Sequence, residues 1–387
     1  MGRSELKKIY LLANKYPTEL EPNACVFIQQ LAWTFNDLGY RCEVINPLPI
    51  NLNPKNIMIN SKIIEKTDNN NEVVVYHPKY FSLGQSVKIF QKIRIRMTTF
   101  LFQKSVEKII KKNNNKDFII YGHFICPPGV VAAKLGNKYN VDSFFAHGEA
   151  IYSGNYKYGN NYLKRVFKSM SGVIAVSTQN KANLVNSKII ETEKIKVFPN
   201  GYRKERFYKI EKSLARKHFG WDSSYFVVGF CGSFDNRKGV IRLQEAVDSI
   251  DNDKVVFACA GSGKLRPTSN KCIFKDKINN DELIYFYNAI DVFALPTLNE
   301  GCCNAIIEAM ACGCPIISSD KLFNYDILDD ENSIMINPND IVALKNAIIN
   351  LYNDKRKLKK LTVGCLKKSS KLTLEDRTRK IAKFIFK

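Results

Sequence analysis

The stretch that decides the fold of this 387-residue chain is NEGCCNAIIEAMACGCPII, from Asn299 to Ile317. A short apolar run, DVFALP, ends just before it, and another, PIISS, begins at its end. From about Asn304 its residues are small and mostly apolar, which predicts a buried helix between two strands. Two carboxylates belong to the stretch, Glu300 before the helix and Glu308 inside it. Alone, Glu308 would be interpreted as a solvated residue, but an unpaired charge is costly among apolar neighbours, which favours a functional role.

Outward from this stretch, strands and helices alternate along the chain in two series. The first series runs from KIYLLA (8–13) to KVFP (196–199), and the second begins at FVVGFCGS (226–233). Such alternation is typical of parallel sheets, whose binding crevices lie at the carboxyl ends of the strands. We therefore predict an α/β protein with two Rossmann-like domains, joined near PNG (199–201), where Pro and Gly interrupt the pattern.

The chain has the composition of a soluble globular protein, with 45% hydrophobic and 25% charged residues. No stretch reaches the ~18 uninterrupted apolar residues of a membrane-spanning helix. The eleven cysteines lack the paired spacing of a zinc site. Their odd number, without a signal peptide at the N-terminus, predicts a cytoplasmic location.

The net charge of +22 predicts an anionic partner: a nucleic acid, an anionic membrane or a phosphorylated small molecule. The excess is concentrated in segments 85–112 and 355–371, and the second carries no nucleic-acid recognition motif. Segment 85–112 has the pattern of a basic amphipathic helix. Its apolar stripe consists of Phe90, Ile93, Met97 and Phe100 or Leu101. Either this stripe packs on the first domain's sheet, or the segment lies on an anionic membrane surface.

The start of the predicted helix after DVFALP has the features of a phosphate site. A helix N-terminus at the carboxyl end of a parallel strand offers free backbone N–H groups and a positive dipole end to an anion. Ionised carboxylates accept hydrogen bonds from adjacent hydroxyls, such as those of a ribose or hexose. Glu300 and Glu308 therefore suit a ligand with a diphosphate between two hydroxyl-bearing groups. GSFDNRKG (232–239) also joins a strand end to a helix start, the position of a second phosphate cradle.

The pattern E-G-x(6)-E-A-M-A-x-G-x-P-I-I resembles the E-x7-E signature of retaining glycosyltransferases of family 4. The similarity extends to AVS (175–177), FPNG (198–201), GSFDNRKG (232–239) and NSIMINPND (332–340). The resemblance implies the GT-B fold, in which two Rossmann-like domains face each other across a cleft.

Applied to this chain, the resemblance implies an acceptor-binding domain over residues 1–200 and a nucleotide-sugar-binding domain over 201–371. It further implies that a final helix at about 372–387 packs back onto the first domain.

The resemblance assigns roles to single residues. Glu300 is expected to contact the donor sugar, Glu308 to hold the ribose hydroxyls and Lys238 to bind the diphosphate. The backbone of Gly232, Ser233, Gly301, Cys302 and Cys303 is expected to lie against the donor sugar or phosphates. The family often has Arg where this chain has Ser233, so Arg237 is either its replacement or a solvated turn residue.

Histidines at strand ends of the first domain are further candidates. The resemblance implies a substrate contact for His147, in FFAHGEA, on the crevice between the domains. His123 is a weaker candidate, and Glu149 is either an acceptor contact or a plain loop residue.

These observations predict a retaining glycosyltransferase that moves a sugar from a nucleotide-diphosphate-sugar to a hydroxyl of a glycan or lipid-linked glycan. We expect it to act in surface polysaccharide or glycoconjugate synthesis, in the cytoplasm or peripherally on the inner face of the membrane. Neither a cofactor nor a metal is expected, because Asp251-Asn252-Asp253 is interpreted as a polar turn.

Two alternatives remain from the residues alone. A Rossmann-type NAD-dependent oxidoreductase is disfavoured because no strand is followed by G-x-G-x-x-G. A non-catalytic basic binding protein would leave Glu300 and Glu308 without a purpose.

Overall fold

The computed structural model describes residues 7–83, 90–113, 117–150, 152 and 154–387. The chain forms two compact units, Met1–Phe198 with Thr378–Lys387, and Pro199–Arg377. The first unit ends two residues before the boundary at 200 that the sequence suggests. The chain returns to it at Thr378, later than the predicted 372.

The first unit contains a mostly parallel sheet. In chain order, the strands of this unit are β1 Lys8–Leu12, β2 Cys42–Ile45, β3 Leu48–Pro49, β4 Lys62–Lys66, β5 Glu72–Tyr76, β6 Lys79–Tyr80, β7 Phe118–His123, β8 Ser143–His147, β9 Gly172–Ala175 and β10 Ile195–Val197. Strands β3 and β6 pair with each other in a separate two-stranded ribbon. The main sheet has the order β10-β9-β8-β7-β1-β2-β5-β4, and β4 is antiparallel to β5. The order reverses between β1 and β7, so the carboxyl ends of these strands mark the binding edge.

Helices cover both faces of this sheet. They are α1 Val26–Asp37, α2 Gln91–Lys112, α3 Val130–Tyr139, α4 Gly154–Tyr158, α5 Asn160–Phe167 and α6 Thr178–Ser187. Helix α1 buries Ile28, Leu31 and Phe35 at helical spacing against the sheet. Helix α2 begins six residues after the predicted start at Gln85, and residues 85–89 lie outside the described residues.

The second unit is a Rossmann-like sheet of six parallel strands. The strands are β11 Phe226–Cys231, β12 Val255–Ala260, β13 Cys272–Asp276, β14 Val292–Leu295, β15 Ile316–Ser319 and β16 Ser333–Ile336. Their order is β13-β12-β11-β14-β15-β16. The order therefore reverses between β11 and β14, and a ligand is expected beyond the carboxyl ends of these two strands.

The helices of the second unit follow the predicted alternation and then continue beyond it. They are α7 Lys212–Phe219, α8 Val240–Asp248, α9 Leu283–Ala289, α10 Asn304–Ala311, α11 Ile341–Asn353, α12 Lys355–Ser369 and α13 Leu374–Ile385, whose last turns belong to the first unit. Helix α10 starts at the predicted Asn304, and Ile306, Ile307 and Met310 are buried. Gly313, at φ 76°, follows its end in the left-handed conformation that ends many helices. Within the described part of the chain, no helix combines the length and apolarity needed to cross a membrane.

Candidate functional site

Two loops meet at the switch point of the second unit. One follows β11 and leads into α8, and the other follows β14 and leads into α10. They are joined by hydrogen bonds from Leu298 N and Thr297 Oγ1 to the carbonyl of Arg237, at 2.8 and 3.1 Å. Gly239 adopts φ 85°, and a Cβ there would lie 2.5 Å from the carbonyl oxygen of Pro296. Only glycine fits both that backbone conformation and that close approach, so the two loops form one continuous surface.

Glu300 holds two cations from the neighbouring loop. Its Oε1 lies 2.7 Å from Lys238 Nζ and 2.5 Å from Arg237 Nη1. Arg237 also donates to the carbonyl of Asn299 at 2.9 Å. The Lys238 and Glu300 side chains are only 13% and 12% exposed, so water screens this pair weakly. Arg237 is therefore part of a charged cluster and not a solvated turn residue.

Lys238 points toward the start of α10. Its Nζ lies 3.8 Å from the sulphur of Cys303, the residue that precedes this helix. Burial alone lowers the pKa of Lys238, but Cys303 and Glu300 outweigh burial and hold the pKa above its ordinary value. Lys238 is therefore a permanent cation beside the helix N-terminus. The Lys238 side chain passes beside Gly232, where a Cβ would lie 3.4 Å from its methylenes, an ordinary van der Waals distance.

The loop after β11 is shaped by Asp235, which the sequence interpretation did not single out. Asp235 Oδ1 accepts from the backbone N–H of Lys238 at 2.8 Å. Its Oδ2 accepts from Ser233 Oγ at 2.8 Å, so the Ser233 hydroxyl is used within the loop. A short polar residue three positions before a helix-start lysine is a signal for such a turn.

Glu308 lies on α10, half-buried, with its carboxylate bonded to the preceding helix. Tyr287 Oη, on α9, donates to Glu308 Oε2 at 2.9 Å. Burial raises the pKa of Glu308 to about 6, although Tyr287 and Arg206 act to lower it. Neither Glu300 nor Glu308 points into bulk solvent. Tyr287 lies 21 residues before its partner, and no local pattern in the sequence identifies it.

The start of α10 is fixed by the segment that opens the second unit. Asn200 Nδ2 donates to the carbonyl of Cys302 at 3.0 Å and to Asn304 Oδ1 at 2.8 Å. Gly301, Cys302 and Cys303 are buried at this end. The three residues therefore stand at the positively polarised end of the helix, as the sequence predicts.

In the first unit, His147 ends β8 and is completely buried. Its Nδ1 lies 2.6 Å from Glu149 Oε2, and Glu149 also accepts from the backbone N–H of Ile125 at 3.3 Å. Its Nε2 is buried and has no hydrogen-bond partner in the part of the chain that the structure describes. When Nδ1 carries the proton toward Glu149, Nε2 of the neutral ring is an acceptor. His123 is also buried, at the end of β7.

Residues 225–354, which contain the two loops and both glutamates, match the family model of the glycosyl transferases group 1. The match covers about a third of the chain, and together with the relatives it shows that the protein is a glycosyltransferase. A relative that covers most of it is TuaC of Bacillus subtilis, named a glycosyltransferase of teichuronic acid biosynthesis. It is 27% identical over 88% of each chain. An Escherichia coli galactosyltransferase, named for UDP-Gal and a GlcNAc-diphosphoundecaprenol acceptor, is 28% identical over 49% of this chain and 53% of its own.

Solved structures show the fold of this glycosyltransferase. Sucrose-phosphate synthase from Thermosynechococcus elongatus superposes with a TM-score of 0.75 at 17% identity, over 97% of this chain and 98% of the other. Anabaena HepE in complex with UDP gives 0.72 at 16% identity, over 98% and 99%. These structures share the GT-B fold, so the predictions of a GT-B glycosyltransferase are confirmed. The oxidoreductase and non-catalytic alternatives are set aside.

Proposed function

We propose that this glycosyltransferase moves a hexose-type sugar, with retention, from a nucleotide-diphosphate-sugar to a hydroxyl of a glycan or lipid-linked glycan. The observation that carries the proposal is the half-buried cluster of Glu300, Arg237 and Lys238 at the N-terminus of α10. The names of the relatives support a place in surface polysaccharide or glycoconjugate synthesis. The proposal includes action in the cytoplasm, with peripheral contact at the inner face of the membrane.

The cluster suits a diphosphate leaving group. Lys238 and Arg237 supply two cations, and α10 adds the positive end of its dipole, so charge that develops on the departing diphosphate is stabilised. In this proposal Arg237 supplies the cation that the family often places at the position of Ser233. The donor requires no metal or cofactor in this scheme. Its phosphates also lie against the backbone of Gly232 and Ser233.

Glu300 has a second function when the donor binds. In the free protein its carboxylate is occupied by the two cations at 2.5 and 2.7 Å. A bound diphosphate competes for those cations, and the Glu300 carboxylate then accepts from the hydroxyls of the donor sugar. The backbone of Gly301, Cys302 and Cys303 lines the same position. Glu308 accepts from the ribose hydroxyls.

His147 is proposed to contact the substrate through Nε2, the ring nitrogen without a partner. Glu149 holds the opposite nitrogen and so fixes the ring orientation. In this proposal Glu149 positions His147, and we assign it no contact with the acceptor.

The test is a thermal-shift panel of nucleoside diphosphates and their sugars. At least one of them is expected to raise the melting temperature of the wild type, since a ligand that binds only the folded state stabilises it. Glu308→Ala is expected to reduce that shift, and Glu245→Ala, an exposed carboxylate on α8, to leave it unchanged. With the stabilising nucleotide sugar, Glu300→Ala and Lys238→Ala are expected to keep the fold and lose most transfer. Full turnover in either variant contradicts its role, and a panel without any stabilising nucleotide contradicts the proposed function.

A further inference from the structure

The first unit carries a large apolar surface to which no donor-binding or catalytic role is assigned. We name it the α2 face. Its side chains are exposed large apolar residues: Leu52, Ile57, Met58, Phe81, Leu83, Phe90, Ile93, Met97 and Phe100. Met58 and Phe90 are 82% and 71% exposed. Single exposed apolar residues are ordinary, but a contiguous group of this size marks an interaction site.

Hydrogen bonds show that the three segments of the α2 face adjoin. The side chain of Asn51 donates to the carbonyl of Ser82 at 2.6 Å and accepts from its N–H at 2.8 Å, which joins the loop after β3 to the segment after β6. Leu83 N donates to Thr98 Oγ1 at 3.0 Å, and Arg94 donates to the carbonyl of Leu83. The segment after β6 is therefore fixed against both the loop after β3 and α2, so the three segments adjoin.

Helix α2 has a different face in the core. Ile95, Phe102, Val106 and Ile110 are buried in the core cluster beside the sheet. Ile93, Met97 and Phe100 recur at helical spacing on another side of the helix and are 57%, 47% and 43% exposed. The interpretation that this stripe packs on the sheet is therefore wrong. The helix has two apolar sides, and only one of them is covered.

The charges of the α2 face have a single sign. Segments 48–62 and 77–106, which supply all of its side chains, contain no Asp or Glu. The basic residues of these segments that the structure describes are Lys55, Lys62, Lys79, Lys92, Arg94, Arg96 and Lys104. A groove of about 770 Å³ adjoins the face at Phe100, and it is lined by the further cations Lys134, Arg165 and Lys168. Lys138 also lines the groove, but it is paired with the buried Glu107 of α2. A partner must therefore accept apolar side chains and cations together.

We propose that the α2 face binds the surface of an anionic lipid bilayer. A bilayer interface receives apolar side chains at the acyl boundary and cations at the head groups. A second copy of this chain is a poor occupant, because an isologous contact would place cations against cations. A nucleic acid would neutralise the cations but leave aliphatic side chains such as Met58, Ile93 and Met97 uncovered. The inference deepens the proposed function, since it places a lipid-linked acceptor near the enzyme, but bilayer binding requires no transfer.

The experiment is flotation of the full chain with vesicles of phosphatidylcholine, with and without phosphatidylglycerol. We expect binding only with the anionic lipid, weakened by salt. Ile93→Ser with Met97→Ser is expected to weaken binding at least tenfold, since two apolar side chains leave the interface. Lys55→Glu and Lys92→Glu should each lower the affinity for anionic vesicles by more than the roughly fivefold expected when one cation is lost, because the charge is reversed. Both lysines are exposed, so the folded structure is expected to tolerate these changes.

The matched control is α12, which is also basic and carries the exposed Val363. Val363→Ser and Lys359→Glu should leave vesicle binding unchanged. Equal binding to neutral vesicles, no binding to either, or a loss caused by the α12 variants overturns the inference. The inference is also overturned if the α2-face variants change only self-association, measured by sedimentation, or only the binding of single-stranded or duplex nucleic acid. The nucleotide thermal shift, measured on the same variants, shows separately whether the donor site is intact.

Discussion

At the scale of single residues, the two cations of the candidate site share one carboxylate. Glu300 satisfies Arg237 and Lys238 within a half-buried cluster. Leaving either cation unpaired there would be costly, so the carboxylate stabilises the arrangement of the two loops. In the proposed function, a diphosphate takes the place of this carboxylate, which then accepts from sugar hydroxyls. On that proposal, the cations are paired both without and with the donor.

Glu308 gives a prediction of pH-dependent stability. Burial raises its pKa from 4.5 to about 6 in the folded chain. Between these values the folded state binds more protons than the unfolded state, so the free energy of unfolding falls as the pH rises through this window. At pH 7.5 the ionised carboxylate then costs roughly 2 kcal/mol of stability. Glu308→Gln is expected to remove this cost and the pH dependence, in urea unfolding followed by circular dichroism.

Glu308→Gln is also expected to weaken nucleotide binding, because the amide accepts ribose hydroxyls less strongly than the carboxylate. The wild type should lose affinity as the pH falls below about 6, where Glu308 becomes protonated. The variant should lack that change, and comparison of the two cancels titration of the nucleotide itself. A variant that is less stable than the wild type at pH 7.5 contradicts the stated cost of burial.

The pair of His147 and Glu149 gives a second prediction at this scale. Glu149→Gln removes the charged acceptor at 2.6 Å from Nδ1 and allows the other tautomer, with Nε2 protonated. Transfer is expected to fall about tenfold to a hundredfold, since the proposed acceptor atom is then lost. Glu191→Gln, at an exposed carboxylate of the same unit, is the control. An unchanged rate with a lowered melting temperature would mean that Glu149 is only structural.

At the scale of elements, local patterns predicted the second unit well. Strand β14, helix α10 and strand β15 lie where the apolar runs and small residues place them. Strand β4 was missed because three of its five residues are charged and none is fully buried, as suits an edge strand. The partners within the site were missed for another reason. Tyr287 and Glu308, or Arg237 and Glu300, meet only because the topology brings β11, α9 and β14 together.

The packing of α12 gives the prediction at this scale. A Cβ at Gly364 would lie 1.9 Å from the carbonyl oxygen of Glu331, so the helix contacts the turn before β16 at this residue. Gly364→Ala is expected to lower the free energy of unfolding by about 1–3 kcal/mol, because the backbone has to move. Val363→Ala changes the adjacent, exposed residue and should have an effect below about 0.5 kcal/mol. If both variants have the same free energy of unfolding, the backbone at Gly364 moves without an energetic cost and the prediction is wrong.

At the scale of the whole molecule, the chain enters the first unit twice and the second unit once. Residues 1–198 form the first unit, and the chain returns to it from Thr378. Ile381, Ala382 and Ile385 lie in the core beside the strands of this unit, and Phe386 stacks on Tyr40 with ring centroids 5.3 Å apart. Residues 378–387 therefore complete the core of the unit to which residues 1–198 belong. Sequence periodicity predicts such a helix but not the surface that it covers.

This return predicts that a change near the C-terminus destabilises the first unit. Ile381 is fully buried, and Ile381→Ala is expected to cost about 2–5 kcal/mol. Hydrogen exchange should show faster exchange in β1, β7 and α1 and little change in β11 and β14, so the nucleotide thermal shift should persist. Lys380→Ala, at an exposed position of the same helix, should leave both units unchanged. Faster exchange confined to β11–β16 would contradict this assignment, because Ile381 would then stabilise the second unit and not the first.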